Sequence, residues 1–594
     1  MAKFYARIVL TAAVLFVSSV LLVIYASWTD SGDGATFAAD IGNSARAVMS
    51  STRNDNRINR SYPRRITLAT DDNGTVQVFS WYETKKAKQL CAMVNYTNTP
   101  LPQMSVIICF HGKESISNLL HTIHGVFQRT PSRLLKELIL IDDFSRNDDF
   151  GVFLELYVAA IFDNKVRILR NTERLGLIRS RLKGIRAATG VVVVVLDSHV
   201  EVQPGWAEPL LSEIHANPKT LAASYIDWME RKGGTWKYRH GGTTWKTYFD
   251  WTFVFGWQTM AEAEVKAMKS LIEPIRAPVI IGTIFAIRKD YFFEVGAFDE
   301  DMQLWGGENL DLPVRVWLCG GRVVNVPCSR AGHMENLGNR NYRLSPEWDL
   351  NKNRNYKRFA EVWAGEFKKY FYMYTPNAQA ADEGNTSERM KLHSVCTKNF
   401  SWYLQEVFPE LGMPDRDSLA WGYLKNQGSG DCLDTRQSSV PGQAECGPGT
   451  STQAVYWSKW FHLRFPIHLL NYNDKPPPGM TQPGLYMAEY ISLHNTDYGS
   501  KYFHAKDGPI IEVTENKCLD GSIPNQLYFA TCKNNSAFQN WRFQHYTDLY
   551  SALMNKNSTD PQIKKRQDKY SEFYERVVPG LRSPLPLRTV RSHR

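Results

Sequence analysis

The chain lacks most of the signatures that place a sequence quickly. Its nine cysteines, spread over 594 residues, include no Cys-x-x-Cys pair, so a zinc-type thiolate site has no ligands to be built from. Neither G-x-G-x-x-G nor a P-loop follows any of the strands read below, which removes the main support for a dinucleotide or nucleoside-triphosphate site. The net charge of +10 is not gathered into one dense patch. Arg53, Arg57, Arg60, Arg64 and Arg65 decorate a polar stretch near the N-terminus, and Lys564, Lys565 and Arg566 decorate another near the C-terminus. Both read as solvated segments, and nucleic acid is not expected as a partner.

Long apolar runs are scarce too. Ile8–Ala26 is uncharged and apolar apart from a few hydroxyl side chains. At about 19 residues it is long enough to cross a bilayer and longer than a usual signal-peptide core, although a cleaved signal peptide is the alternative. Lys3 and Arg7 precede it, so the positive-inside rule keeps residues 1–7 cytosolic and places everything after Ala26 in the lumen of the secretory pathway. N-x-S/T sequons at Asn59, Asn73, Asn95, Asn385, Asn399, Asn534 and Asn557 agree with that address. An oxidising compartment makes disulfides the default and leaves one thiol over; Cys109, inside an apolar strand, is the expected odd one.

What is present is a composition of folded protein, 43% hydrophobic and 12% aromatic, with room for two to four domains. Residues 27–90 are polar and poorly periodic and read as a stem. From Met104 strands and helices alternate: strand Met104–Phe110, helix Ser117–Gln128, strand Leu138–Ile141, helix Phe150–Ala160, strand Val166–Leu169, helix Leu177–Ala188, strand Val191–Leu196. That alternation implies a parallel sheet with flanking helices. Trp228–Trp257, rich in Trp, Tyr and Gly, reads as loops lining an extended groove. A polar linker, 376–415, follows. The next region, 416–545, is punctuated by glycine and has no long helix. In it Cys432-Leu433-Asp434 recurs as Cys518-Leu519-Asp520, each followed fourteen residues later by Cys446 or Cys532, an internal repeat that implies a small repeated β unit. Residues 546–594 read as a poorly ordered tail.

Chemistry concentrates at strand ends. The valine run Val191–Val195 stops at Leu196-Asp197-Ser198-His199, and in an extended segment Asp197 and His199 project together, half of a divalent-metal site that prefers manganese to magnesium. Leu140-Ile141-Asp142-Asp143 ends another strand in carboxylates. Arg170–Gly176 precedes a helix, where an arginine and exposed amides can hold a diphosphate. In Trp305-Gly306-Gly307-Glu308-Asn309 the glycines allow close ligand approach and the Glu-Asn pair can read hydroxyls, and His333 offers a second imidazole.

In this order the patches resemble those of the polypeptide N-acetylgalactosaminyltransferases, the family that begins mucin-type O-glycosylation. The resemblance runs from about Cys91 to Trp541. It is carried by SVIICFH (Ser105–His111), LLKELILIDDFS (Leu134–Ser145), LDSHVEVQPGW (Leu196–Trp206), FDEDMQLWGGENLDLPVRVWLCGG (Phe298–Gly321), AEVWAGEFKKYFY (Ala360–Tyr372) and FSWYLQEVFPEL (Phe400–Leu411). The resemblance implies an α/β GT-A nucleotide-sugar transferase domain over 91–375, followed by an all-β ricin-type β-trefoil lectin domain. It also implies a type II signal anchor at 8–26 in the Golgi membrane. The donor is UDP-GalNAc and the acceptor a Ser/Thr peptide or GalNAc-glycopeptide, with configuration retained; a diffuse positive field suits the anionic donor. Asp197, His199 and His333 would ligate Mn²⁺. His111, Asp142, Arg174, Gly282 and Thr283 would line the donor, Glu308 and Asn309 would face the sugar, and Trp305 would belong to the gating region. Asp434 and Asp520 are the lectin candidates. The family pattern pairs Cys91–Cys328, Cys319–Cys396, Cys432–Cys446 and Cys518–Cys532.

Three departures bear on activity. Thr283 stands where the family has glycine; Asn336 replaces a phosphate-clamping arginine, with Glu335 beside it and Arg340 or Arg343 as substitutes; and His-Asn-Glu has become His111-Gly112-Lys113-Glu114, with one residue inserted. The middle lectin repeat lacks its cysteines, and the Q-x-W signature survives only as Gln539-Asn540-Trp541. The alternative is therefore a catalytically silent transferase fold that binds glycopeptides or UDP-sugars.

Overall fold

The computed structural model describes residues 85–568, interrupted at 240–243, 335–345, 436–440, 448–452, 459–462, 474–483, 490–501 and at shorter breaks. The expected span at 8–26, the stem up to residue 84, and Glu335, Asn336, Arg340 and Arg343 lie outside the described residues.

The first domain is built on strands β1 (Met104–Phe110), β2 (Leu135–Asp142), β3 (Val166–Arg170), β4 (Val192–Asp197), β5 (Val200–Val202), β6 (Thr220–Lys232), β7 (Thr235–Arg239), β8 (Trp245–Phe249), β9 (Phe255–Thr259), β10 (Ile275–Arg276), β11 (Ile284–Arg288) and β12 (Arg322–Met334). The main sheet runs β10-β12-β6-β11-β4-β1-β2-β3, with β5 added to β12 and β7 to β6. The valine run explains itself here. Val192, Val194 and Leu196 enter one apolar core while Val193 and Val195 enter the other, on the opposite face of the sheet. All five are fully buried, as a strand covered by helices on both faces requires.

The sheet is mixed, which corrects the parallel expectation. β3, β2, β1 and β4 are parallel, but β11 runs antiparallel to both β4 and β6. A doubly buried strand reads the same in either direction; its connection decides. The helix Ala207–Ala216 carries the crossover that keeps β6 parallel to β4, whereas β11 is reached from β6 through the β8–β9 hairpin. The aromatic segment Trp228–Trp257 is likewise not a set of loops. Its pairings make two hairpins, β6–β7 and β8–β9, in which Trp228, Trp245, Tyr248 and Trp257 serve as strand formers and Trp251 sits in the β8–β9 turn.

Residues 376–415 are not a free linker. Phe400, Tyr403, Leu404, Phe408 and Leu411 enter the same core as β1 and β4, and Tyr403 donates to the Pro278 carbonyl at 2.9 Å. The disulfide Cys319–Cys396 fixes this segment to the end of the helix Glu308–Leu318. The other bridges are Cys91–Cys328, Cys432–Cys446 and Cys518–Cys532, and Cys109 is a buried free thiol. Beyond residue 417 the described chain carries twelve short strands around a core of its own, the all-β unit that follows the GT-A domain. The tail starts later than expected. Thr547 caps a helix, Asp548–Met554, whose Tyr550 and Leu553 are buried in that core.

Candidate functional site

Asp197 ends β4, His199 sits in the two-residue turn before β5, and His333 lies near the end of β12, paired in register with Val200. The turn, not a continuous extended segment, is what aims Asp197 and His199 at one point. One ligand atom from each of the three residues lies within 4.8 Å of the others, and His333 Nε2 is 3.5 Å from Asp197 Oδ2. The imidazole rings of His199 and His333 meet edge to face at 4.7 Å.

Their surroundings fit a divalent cation. Burial raises the Asp197 pKa, but His333, Arg181 and His199 outweigh it and bring it to about 2, so the carboxylate is ionised. Arg181 Nη2 donates to Asp197 Oδ1 at 2.7 Å and to the Gly282 carbonyl at 3.0 Å. His199 Nδ1 donates to Glu114 Oε2 at 2.7 Å, which leaves Nε2 as the ligand atom. Ser198 Oγ donates to the same carboxylate at 2.5 Å, and Glu114 Oε1 accepts from Ser115 N at 2.8 Å. The extra residue at Gly112-Lys113 is absorbed in the turn after β1, and Glu114 still reaches the metal ligand. Sequence reading counted this stretch only as a departure; the signal available was a carboxylate just beyond the strand that adjoins β4.

Glu308 opens the helix Glu308–Leu318 at the far side of Arg181, 3.8 Å from its Nη1, and accepts from Gly306 N at 2.9 Å. Burial raises its pKa and favours the neutral carboxyl. Asn309 Nδ2 donates to the Ile281 carbonyl at 2.6 Å. Gly282 has φ +87°, and a Cβ there would lie 2.6 Å from Asn309 Oδ1, so only glycine fits. Thr283 is buried, and its carbonyl accepts from Asp197 N at 3.0 Å. Its φ is not positive, so the family's glycine is not demanded here by backbone conformation.

The remaining candidates fall into two places. His111, just after β1, holds the Asp143 carbonyl through Nδ1 at 2.7 Å and meets Arg174 Nη1 through Nε2 at 3.1 Å. Burial lowers its pKa, which favours the neutral ring. Asp142, the last residue of β2, accepts from Ser145 N at 2.8 Å and from Arg170. Asp143, which the sequence marks only as a strand-end carboxylate beside Asp142, organises the neighbouring loop, accepting from Asn171 Nδ2, Leu175 N and Gly176 N at 2.8–3.0 Å. Trp305 stacks on Trp348 at 4.7 Å. Its loop is held by the fully buried Asn355, also missed, whose amide hydrogens reach the carbonyls of Gln303, Trp305 and Gly306 at 2.7–3.1 Å while its oxygen accepts from Gln303 N.

The β domain holds Asp434 and Asp520 apart from this site, in matching settings. Gln453 Nε2 donates to Asp434 Oδ2 at 3.0 Å, and Gln539 Nε2 to Asp520 Oδ2 at 2.9 Å. Gln453 sits in Gln-Ala-Val rather than Q-x-W and was missed. Its signal was the shared spacing, nineteen residues after each aspartate.

Comparison with known proteins agrees with this geometry. The family model for glycosyl transferase family 2 matches residues 105–296, and that for the N-terminal domain of galactosyltransferase matches 265–338. Polypeptide N-acetylgalactosaminyltransferase 5 of Caenorhabditis elegans is 36% identical over 469 residues, covering 76% of this chain and 71% of that protein. An inactive polypeptide N-acetylgalactosaminyltransferase-like protein 5 of Macaca fascicularis is 39% identical over 324 residues, covering 54% of this chain and 71% of its own. The crystal structure of GalNAc-T7 with UDP, GalNAc and Mn²⁺ superposes with a TM-score of 0.56 at 28% identity, covering 76% of this chain and 83% of that one. With the fold, the residue order and these relatives in agreement, the chain belongs to the polypeptide N-acetylgalactosaminyltransferase family of glycosyltransferases.

Proposed function

We propose that this chain transfers GalNAc from UDP-GalNAc to Ser or Thr hydroxyls of polypeptide or glycopeptide acceptors with retention of configuration, as a type II membrane protein facing the Golgi lumen. The observation that carries the reading is the converging Asp197, His199 and His333, with His199 aimed by Glu114 and Asp197 held by Arg181. Mn²⁺ bound to these three residues would supply positive charge against the departing diphosphate.

The chain's own groups divide the rest. Arg174 and His111 flank the nucleoside end, with the neutral ring of His111 acting as a hydrogen-bonding group rather than a charge. Gly282 lets the Asn309 side chain pack against backbone, and Glu308 and Asn309 present a carboxyl and an amide to the sugar hydroxyls. In a retaining transfer the acceptor oxygen bonds to the anomeric carbon on the face from which the sugar–phosphate bond breaks, and its proton goes to the leaving diphosphate. No protein nucleophile is required, and UDP and the O-linked sugar are the products.

The direct test is calorimetric titration of UDP-GalNAc into the full chain with and without Mn²⁺. Binding is expected with the ion and lost in Asp197→Ala; equal binding in that variant would refute the site.

A further inference from the structure

Trp228 sits on β6 directly across from the metal ligand His333, its register partner on β12. The two rings meet edge to face at 5.5 Å. Yet 59% of Trp228 remains in solvent, and among the tryptophans whose side chains are described it alone is exposed. Single exposed apolar residues are ordinary on a protein surface. An indole packed against a metal ligand and open to water on its other side is at a functional site.

Which part of a substrate meets it follows from the strand order together with the course of a retaining transfer. Reading across the sheet, β2 ends at Asp142, His111 follows β1, β4 ends at Asp197, β11 is preceded by Gly282 and Thr283, and β6 carries Trp228. β12, the next strand beyond β6, carries His333, which closes back on Asp197 at 3.5 Å, so Trp228 stands beside the metal position. On the proposed orientation of the donor, the nucleoside lies at β1 and β2, the diphosphate at β4 and the sugar at the approach to β11. In a retaining transfer the acceptor hydroxyl enters on the face that the diphosphate leaves, so the acceptor passes beside the metal position, where Trp228 stands. An indole offers nothing to a diphosphate; it offers a rigid apolar face.

We infer that Trp228 is the acceptor-side platform of the transfer site, against which the peptide segment carrying the reactive hydroxyl packs. β6 and β7 pair from Trp228↔Arg239 to Lys232↔Thr235, so the ring stands at the base of a hairpin rather than on a loop. A site on a strand presents its contact with little ordering cost. This inference rests on the donor orientation proposed above and adds to it a residue that selects the acceptor.

The test separates the two ligands. Wild type, Trp228→Ala and Trp228→Phe, each as the full chain with Mn²⁺, are titrated with UDP-GalNAc and, in the presence of UDP, with a Ser/Thr-rich mucin-type peptide, naked and GalNAc-bearing. Trp228→Ala is expected to weaken acceptor binding about tenfold, as loss of a central aromatic contact does. UDP-GalNAc binding should stay unchanged, and Trp228→Phe should retain most of the acceptor affinity. A loss confined to UDP-GalNAc would put the ring on the donor side and overturn the inference. So would acceptor binding to wild type no tighter than to Trp228→Ala. If wild type binds acceptor but not UDP-GalNAc, the donor reading fails, and the acceptor titrations still decide the role of Trp228.

Discussion

Glu114 Oε2 takes the Nδ1 hydrogen of His199 at 2.7 Å, and so fixes which imidazole nitrogen faces the metal position. The carboxylate is almost wholly buried, and it also accepts from Ser198 Oγ and Ser115 N. Glu114→Gln removes the charge and one acceptor without changing volume. It should lower Mn²⁺ affinity by about ten- to a hundredfold, the usual cost of losing the partner that orients a ligating histidine. Titration of Mn²⁺ followed by electron paramagnetic resonance measures this without turnover. Unchanged affinity would mean that the His199 ring is held by its turn alone.

Gly282→Ala should act through Asn309. The new methyl would meet the Asn309 side chain at 2.6–2.9 Å in a backbone conformation with φ +87°. The left-handed conformation alone costs about 1–2 kcal/mol, and Asn309 must leave the Ile281 carbonyl. Weaker UDP-GalNAc binding with a modest fall in melting temperature is expected, and calorimetry checks both.

Asn355→Ala removes the amide that ties Gln303, Trp305 and Gly306 together. At about 0.5–1.5 kcal/mol per hydrogen bond, the loss should be about 2–4 kcal/mol in stability. Asn355→Asp keeps the shape but turns a carboxylate toward three carbonyls, so it should be at least as damaging. Urea denaturation ranks the two; if Asp is harmless, the contact is packing and not hydrogen bonding.

His504 supplies a pH signature for the β domain. It is fully buried against Trp457, Phe543 and Tyr546, and burial brings its pKa down to about 4. The unfolded imidazole titrates near 6.5, so between these values the unfolded chain binds more protons. The associated stability, about 3 kcal/mol at full separation, is present above pH ~6.5 and lost as the pH falls toward 4. Urea midpoints between pH 4 and 7 should therefore slope less steeply in His504→Gln than in wild type.

How much of this was legible depended on whether the cause was local. The valine run announced a doubly buried strand because each residue had to be apolar whichever core it entered. Asp197, His199 and His333 were found because the residue types that bind a divalent cation are few. Strand direction was not legible, since β11 is set by a hairpin connection and not by its own residues. Asn355 and Glu114 escaped notice because buried polar anchors have no periodicity; they are defined only by the backbone they meet. Phe400–Leu411 looked like linker until its core was seen, because its polar flanks gave the composition while five buried side chains gave the packing.

The central claim is transfer, and one assay reaches it. The full chain is incubated with Mn²⁺, UDP-GalNAc and mucin-type peptides, naked and GalNAc-bearing, beside Asp197→Ala. Mass spectrometry should show one or more added GalNAc residues on a peptide with wild type and none with the variant. UDP-GalNAc bound but no sugar transferred to either peptide would contradict the account and make this chain a silent binder.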